Sequence, residues 1–233
     1  MSSFREYTDY VLSPVGKSEE VLHMIDAVST NKTDFFREPV HFDYLLQQGI
    51  ADYRTASGKR NVSVWSAGCS SGEEPYTLAM VFREYAGKET GFDFDIVATD
   101  IAESVLQHAR TGIYQEEKTR VIPQELKKKY WLKGKNAYAG KLKAGPEIME
   151  KVEFRMFNLL SPDYSAVGKF DFIFCRNVLI YFDRDLQSRI LEQFCRVLNR
   201  GGLLFLGHSE SINGFALPLK TIRPTIFMKY AES

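Results

Sequence analysis

The stretch from 62 to 79 constrains the fold of this chain more than any other segment. It begins with a β-branched and aromatic run at 62–65, which is typical of a strand. Small residues fill 66–72, and two acids and a proline follow at 73–75, which is the composition of a helix start. The stretch therefore predicts a strand, a tight loop and a helix, and a ligand can approach the backbone of such a loop closely.

Strand and helix patterns continue to alternate along the rest of the chain. Further strands are predicted at 94–100, 152–157, 170–175, 203–207 and 225–230. This alternation predicts an α/β fold with a mainly parallel sheet and right-handed crossovers. Ligands of such sheets bind at the carboxyl ends of the strands. Polar residues gather at these ends, which are 66–72, Asp100, Asn158-Leu159, Arg176-Asn177 and His208-Ser209.

Asp100 ends the second predicted strand, 28 residues after Gly72. In nucleotide-binding folds an acid at this position accepts hydrogen bonds from ribose hydroxyls. The alternative is that Asp100 only caps a helix predicted at 102–110. We expect ribose binding because the strand follows a loop of small residues.

The remaining segments suggest additions to the α/β core. Residues 1–48 predict a helical segment that includes a polar and aromatic stretch at 29–39, and 49–60 reads as a polar linker. We therefore place a domain boundary between 48 and 49, with the main domain at 49–233. Glycines at 134, 140 and 145 separate short segments, which predicts an inserted antiparallel β-subdomain at about 133–157.

Composition narrows the class of protein. A chain of 233 residues with 44% hydrophobic residues can bury one large domain. Thirty basic and thirty acidic residues give no net charge, which disfavours a dedicated nucleic-acid binder. Three distant cysteines without a Cys-x-x-Cys pair predict neither a disulfide framework nor a metal site. No signal peptide or membrane-length apolar run is evident, so we expect a cytoplasmic protein that is not inserted in a membrane.

Six motifs in order resemble the chemotaxis receptor methyltransferases, the CheR family. They are Ser29-Thr-Asn-x-Thr-x-Phe-Phe-Arg-Glu38, Ser66-Ala-x-x-Ser-x-Gly-Glu-Glu-Pro-Tyr76, Ala98-Thr-Asp-Ile101 with Ala109-Arg-x-Gly-x-Tyr114, Asn158-Leu-Leu160, Phe174-Cys-Arg-Asn-Val-x-Ile-Tyr-Phe-Asp183 and Gly207-His-Ser-Glu210. The likeness spans residues 28–230 and is specific because the motifs keep their order.

The resemblance implies a class I S-adenosylmethionine-dependent methyltransferase (Rossmann-like) fold whose sheet ends in an antiparallel strand. The implied activity is methyl transfer from S-adenosylmethionine to glutamate carboxylates of chemoreceptors, which leaves S-adenosylhomocysteine and requires no metal. The implied partner is the cytoplasmic domain of methyl-accepting chemotaxis receptors, with a receptor tail peptide as a candidate ligand of the β-subdomain. The resemblance also implies a monomer in which residues 1–48 are a shortened N-terminal domain.

Site residues follow from the motif positions that match the family. The implied cofactor contacts are Asn31, Thr33, Arg37, Glu73, Asp100, Asn158, Leu159, Arg176 and Asn177. The implied catalytic residues beside the transferred methyl are Arg37 and Tyr181. For Tyr181, a core aromatic is the competing interpretation.

Three other functions compete with this one. A nicotinamide dehydrogenase is disfavoured because 67–72 lacks the Gly-x-Gly-x-x-Gly spacing and because Glu73 and Glu74 would repel a pyrophosphate. The same acids suit a donor with a cationic amino acid end. A non-catalytic module that binds S-adenosylmethionine is the main alternative, and Arg37 and Tyr181 argue against it. A nucleic-acid methyltransferase lacks its Asn/Asp-Pro-Pro-Tyr/Phe motif here.

Overall fold

The computed structural model describes residues 3–230, with the side chains of residues 17–19, 22 and 25 left out. Its α-helices are α1 Phe4–Leu12, α2 Pro14–Glu19, α3 Val21–Val28, α4 Val40–Tyr44, α5 Ile50–Ser57, α6 Glu73–Ala86, α7 Glu103–Thr111, α8 Gln124–Tyr130, α9 Pro146–Met149 and α10 Arg184–Val197. Its strands are β1 Asn61–Ala67, β2 Asp93–Asp100, β3 Ile113–Gln115, β4 Trp131–Lys133, β5 Lys141–Ala144, β6 Val152–Met156, β7 Phe170–Cys175, β8 Leu198–Leu206, β9 Leu219–Arg223 and β10 Ile226–Lys229. Within these residues, no helix is long and apolar enough to cross a membrane.

The main sheet has seven strands in the order β6-β2-β1-β7-β8-β10-β9. The pairs from β6 to β8 are parallel, and β10 is antiparallel to both of its neighbours. This confirms the predicted α/β fold with a mainly parallel sheet and an antiparallel last strand. The parallel strands share one direction, so the carboxyl ends of β1, β2, β6, β7 and β8 lie along one edge.

Helices cover both faces of the main sheet, so its central strands are buried on both sides. All six residues of β7 are buried. Side chains alternate between the faces: Phe172 packs in the same core cluster as residues of α5 and α6, while Ile173 packs with residues of α10. On the α10 side, Trp65 lies 5.2–5.4 Å, centroid to centroid, from the rings of Phe170, Tyr164 and Phe194. These aromatic contacts fix β1 and its loop.

The antiparallel β-subdomain begins earlier in the chain than the sequence predicted. It is a three-stranded sheet in the order β3-β5-β4, built from residues between 113 and 144. The segment 152–156 is not part of it, because β6 pairs in parallel with β2 in the main sheet, with Val152 opposite Ile96. The predicted range of 133–157 is therefore wrong at both ends. Its start was missed because a short strand such as β3 carries little periodicity of its own.

The predicted polar linker at 49–60 is largely helix. A π-helical turn, Leu45–Gly49, joins α4 to α5, and α5 ends at Gly58, which has a φ of 70°. Ile50 and Tyr53 are buried against the main sheet. Most residues of this helix are polar and only a few of its apolar residues are buried, so its composition predicted a linker. The proposed boundary between 48 and 49 stays a prediction, although the backbone is helical on both sides of it.

Candidate functional site

A cavity of about 450 Å³ lies at the carboxyl edge of the main sheet. Three groups of residues line it: the stretch before α4, the loop after β1, and the ends of the other strands. The lining residues are Val28, Ser29, Thr30, Asn31, Lys32, Thr33, Asp34, Arg37, Gly68, Ser70, Glu74, Asp100, Ile101, Phe157, Asn158, Leu159, Arg176, Asn177, Val178, Ile180, Tyr181 and Phe182. The ends of β1, β2, β6 and β7 line this cavity, as the switch-point rule predicts, whereas His208 and Ser209 after β8 do not.

The loop after β1 turns sharply because three of its residues adopt positive φ. These are Gly68 at 78°, Ser70 at 48° and Gly72 at 95°. A Cβ on Gly68 would lie 2.5 Å from Cγ2 of Val178, so this position also needs the absence of a side chain. The turn brings the Ser70 N–H within 2.8 Å of Asp100 Oδ2. The loop and the end of β2 thus form one corner of the cavity.

Asp100 both accepts backbone hydrogen bonds and faces the cavity. Its Oδ1 accepts the Ala102 N–H at 3.0 Å, directly before α7, but α7 itself has no side-chain cap, so Asp100 does not cap this helix. Its side chain also lines the cavity, and each carboxylate oxygen keeps a second lone pair. Burial raises the pKa of the Asp100 carboxyl, although the backbone N–H groups that it accepts oppose this.

The two acids at the start of α6 are paired within the protein. Glu73 does not line the cavity: its carboxylate accepts the Ser71 hydroxyl at 2.7 Å and Lys118 Nζ at 3.2 Å. Glu74 does line it, and its carboxylate accepts the Ser66 hydroxyl at 2.7 Å and Arg176 Nη1 at 3.0 Å. The structure therefore does not support a cofactor contact for Glu73. The expected attraction of these acids to a cationic ligand end stays a prediction, and of the two only Glu74 lines the cavity.

Arg176 and Asn177 follow β7 and offer unused polar atoms. The Arg176 guanidinium is 3% exposed and donates to Glu74 and to the Arg37 carbonyl, with Glu38 Oε2 at 3.3 Å. Its Nε and the Oδ1 of Asn177 are buried and have no hydrogen-bond partner in the described structure. Buried polar atoms usually have partners. These two atoms on cavity-lining residues are therefore available to a bound ligand.

The stretch 29–38 crosses the cavity as a strap that other segments hold. Ser70 Oγ donates to the Asn31 carbonyl at 3.0 Å, Lys118 Nζ donates to the Thr33 carbonyl at 2.8 Å, and the Phe36 N–H donates to Thr77 Oγ1 at 3.2 Å. Sequence reasoning missed Ser70, Thr77 and Lys118. Ser70 stands in the second motif, but no local signal marks the contacts of these residues with the strap, because each contact spans 39 to 85 positions of chain.

An aromatic anchor fixes the middle of the strap. Phe35 is 2% exposed, and its ring packs edge-to-face on Tyr114 at 5.0 Å and on Trp131 at 5.2 Å. The polar side chains on either side of Phe35 can therefore line the cavity.

Arg37 and Tyr181 lie on opposite segments of the cavity lining, one on the strap and one in the turn after β7. Arg37 is partly exposed and donates from Nη1 to the Lys32 carbonyl at 3.2 Å. Tyr181 is 59% exposed. Tyr181 is thus not a core aromatic.

The structure brings nearly all the predicted site residues together. Asn31, Thr33, Arg37, Asp100, Asn158, Leu159, Arg176, Asn177 and Tyr181 all line the cavity, and Glu73 does not. Five further lining residues had no predicted cofactor contact: Ser70, Glu74, Val178, Ile180 and Phe182. All five stand in the quoted motifs, which is the signal that could have found them.

Comparison with known proteins accounts for this constellation. Residues 31–228 match the family model described as "CheR methyltransferase, SAM binding domain". This chain belongs to the CheR methyltransferase family. It is 38% identical over 229 residues to chemotaxis protein methyltransferase 2 of Pseudomonas aeruginosa, covering 97% of this chain and 79% of the relative.

Two further members of the family show a similar likeness. The chain is 38% identical over 236 residues to the chemotaxis protein methyltransferase of Borreliella burgdorferi, covering 98% of this chain and 82% of the relative. It is 41% identical over 190 residues to that of Escherichia coli, covering 81% of this chain and 64% of the relative. This CheR family member is therefore an S-adenosylmethionine-dependent methyltransferase, as predicted.

The fold of this CheR family member agrees with that assignment. Numbered along the main sheet alone, its strands run 3-2-1-4-5-7-6 with the seventh antiparallel, which is the class I methyltransferase arrangement. The cavity volume lies within the range of about 300–1,000 Å³ that small-molecule sites occupy. Asp100 lines it at the end of β2, and the lining residues Arg176 and Asn177 each keep a buried polar atom without a partner in the described structure. The residues present fit S-adenosylmethionine.

Proposed function

We propose that this enzyme methylates glutamate side chains in the cytoplasmic domain of chemotaxis receptors and forms glutamyl methyl esters. The names of the relatives support chemotaxis receptors as the substrates. The observation that carries the proposal is the composition of the cavity. Arg37 and the exposed Tyr181 line the cavity, and none of the described lining residues is a histidine. Such a site suits a nucleophile that is already ionised.

A glutamate carboxylate fits this requirement. Its ordinary pKa of about 4.3 leaves it ionised at neutral pH, so no residue has to remove a proton. S-adenosylmethionine, when bound, supplies a methyl carbon that its sulfonium activates. Arg37 holds a carboxylate through its guanidinium, and the Tyr181 hydroxyl orients the reacting groups. The protein thus acts by positioning and by excluding water.

The other lining residues hold the cofactor in this proposal. Asp100 accepts hydrogen bonds from the ribose, and Arg176 and Asn177 use the atoms that have no protein partner. Asn31, Thr33, Asn158 and Leu159 complete the contacts from the strap and from the end of β6. Glu73 acts indirectly, because it holds Lys118, which in turn holds the strap at Thr33.

The β-subdomain is our candidate for a receptor tail peptide. In its three-stranded sheet β5 is central, so β3 and β4 are the edge strands. An extended peptide can add to such an edge through main-chain hydrogen bonds, and Leu132 on β4 is 56% exposed beside it. A receptor tail peptide bound along β4 should shift the fluorescence of Trp131, which begins this strand. No shift at any peptide concentration would exclude the β4 edge.

The decisive experiment offers methyl-labelled S-adenosylmethionine and a receptor cytoplasmic fragment to the enzyme. We expect label on the fragment that mild alkali releases as methanol, and no label on a fragment whose candidate glutamates are replaced by glutamine. Binding of S-adenosylmethionine without transfer to any receptor would favour the non-catalytic module instead. Alkali-stable label would indicate methylation of a different group.

A further inference from the structure

A cluster of Glu38, His41 and His208 lies beside the cavity but outside its lining. Glu38 Oε2 is 3.7 Å from His41 Nδ1 and 3.9 Å from His208 Nε2. One ligand atom from each residue lies within 4.8 Å of the other two. His41 is buried, Glu38 is partly buried, and His208 is exposed and connects the cluster to solvent. Neither the sequence motifs nor the methyl transfer proposed above uses these three side chains together.

The hydrogen bonds around His41 determine its tautomer. The Thr225 hydroxyl donates to the Pro224 carbonyl at 2.7 Å, so the same oxygen accepts from His41 Nε2 at 2.8 Å. His41 Nε2 therefore carries the proton. In this tautomer His41 Nδ1 is left with an unprotonated lone pair.

This lone pair meets another acceptor inside the protein. His41 is 0% exposed, and its Nδ1 has no hydrogen-bond partner in the described structure. The atom faces Glu38 Oε2, which also has no hydrogen-bond partner in the described structure and is paired with Arg176 at 3.3 Å. Two buried acceptors that face each other are costly unless a cation lies between them. The arrangement therefore points to a cation.

We propose that Glu38 Oε2, His41 Nδ1 and His208 Nε2 bind one divalent transition-metal ion such as Zn²⁺. Two imidazole nitrogens and a carboxylate oxygen are a donor set that Zn²⁺ takes, with one position left open. Bonds of about 2.0–2.2 Å in a tetrahedron place ligand atoms about 3.4 Å apart. Glu38 Oε2 lies 3.7 Å from His41 Nδ1 and 3.9 Å from His208 Nε2, which is close to this value, and the exposed His208 can move inward.

The groups around the cluster are arranged as the outer contacts of a metal site. His41 donates its Nε2–H to the Thr225 hydroxyl, so that Nδ1 stays free for a metal. Glu38 Oε1 accepts the backbone N–H of His208 at 3.3 Å and Asn177 Nδ2 at 3.4 Å. Glu38 and Thr225 also have positive φ, 54° and 61°, which is costly for residues with a Cβ. The surrounding structure must therefore hold Glu38 and Thr225, the partner of His41, in these conformations.

Arg176 sets the expected strength of binding. Its positive charge lies 3.3 Å from Glu38 Oε2 and opposes a second cation, so we expect a Kd on the order of 1 µM rather than that of a structural zinc site. Glu74 also pairs with Arg176 and offsets part of this repulsion.

The test titrates the metal-free full chain with Zn²⁺ by calorimetry and with Co²⁺ by visible absorption. We expect one ion per chain and the d–d bands of four-coordinate Co²⁺. His208→Gln should weaken binding by at least about tenfold. His208 is 59% exposed, so this variant should fold, which its circular dichroism and melting temperature will check. His23→Gln is the matched control, because His23 is also exposed and lies outside the cluster.

Three results would overturn the proposal. The first is no stoichiometric binding by the parent chain. The second is equal weakening by His208→Gln and His23→Gln, which indicates adventitious surface binding. The third is stoichiometric binding that His208→Gln leaves unchanged, which places the ion elsewhere.

Discussion

At the scale of single residues, the cavity depends on charged side chains that bond to other groups of the protein. Asp100 accepts two backbone N–H groups while it faces the cavity, and Arg176 is enclosed by two carboxylates and a carbonyl. Arg37 and Tyr181 are the more exposed members of the site. Binding and transfer can therefore be tested separately through these two sets of residues.

Cofactor affinity should depend on pH through Asp100. Because burial raises the pKa of this carboxyl, it becomes protonated at a higher pH than an ordinary aspartate and then accepts fewer hydrogen bonds. We expect S-adenosylmethionine to bind more weakly as pH falls through that raised pKa. Calorimetry of Asp100→Asn should show about 10- to 100-fold weaker binding near neutral pH and a flatter pH profile. An unchanged pH profile in this variant would assign the pH effect to another group.

Arg37→Ala should lower kcat/KM by about 10- to 100-fold, because the site loses a charged group that can hold a carboxylate through two parallel bonds. Arg37→Lys should recover only part of the loss. Calorimetry with S-adenosylmethionine shows whether the carboxylate belongs to the cofactor or to the substrate. Arg120→Ala, at an exposed arginine outside the cavity, is the control. Unchanged cofactor affinity and unchanged turnover would remove Arg37 from the mechanism.

Tyr181→Phe should reduce kcat by about tenfold or more while cofactor affinity changes little, because only the hydroxyl is lost from an exposed ring. The comparison variant is Tyr230→Phe, since Tyr230 is also exposed and lies outside the cavity lining. Single-turnover kinetics separate the transfer step from product release. Equal kcat values for the two variants would contradict a role for this hydroxyl.

At the scale of elements, Glu210 positions the segment that follows β7. Its carboxylate accepts four N–H groups at 2.6–3.0 Å, those of Asn177, Val178, Leu179 and Gly207. Glu210 is 7% exposed and joins the ends of β7 and β8. The segment that it holds carries Asn177 and Tyr181 into the cavity.

Glu210→Gln should weaken S-adenosylmethionine binding and destabilise the fold by about 1–3 kcal/mol. Its amide NH₂ would face N–H groups that need an acceptor. Calorimetry and thermal unfolding measure the two effects, with Glu125→Gln on the surface of α8 as the control. If Glu210→Gln and Glu125→Gln bind the cofactor equally well, the carboxylate has no positioning role.

At the scale of the whole molecule, Asp171 ties several segments together at the end of the sheet away from the cavity. Its buried carboxylate accepts the Tyr53 hydroxyl, Lys59 Nζ at 2.7 Å, the Ser63 N–H at 2.9 Å and Asn199 Nδ2 at 2.7 Å. These donors come from α5, the connection to β1, β1 itself and β8. The helix that precedes β1 is thereby fixed to the central strands.

Asp171→Asn should lower the free energy of unfolding by about 2–3 kcal/mol, because an amide NH₂ replaces an acceptor among four donors. Denaturant unfolding measures this loss. Asp95→Asn is the control, since Asp95 is exposed and makes one ion pair at 3.7 Å. A loss no larger than that of the control would show that these contacts do not stabilise the fold.

The sequence by itself determined the architecture of the sheet and most of the site. Apolar strand patterns alternated with amphipathic helices, and the spacing of apolar residues shows directly which faces are buried. The ends of parallel strands must share one edge, so polar residues at those ends had to converge. Asp100, Asn158, Arg176 and Asn177 were found in this way.

The tertiary structure decided the features that depend on contacts between distant segments. Glu73 and Glu74 differ by about 100° around α6, and only packing sets which of them faces the cavity. The helix at 50–57 has a polar composition and is stabilised by burial of Ile50 and Tyr53. Glu38, His41 and His208 meet only because the strap before α4 lies against the end of β8, about 170 positions away. Long-range packing of this kind leaves no periodicity in the sequence, so only the folded chain reveals it.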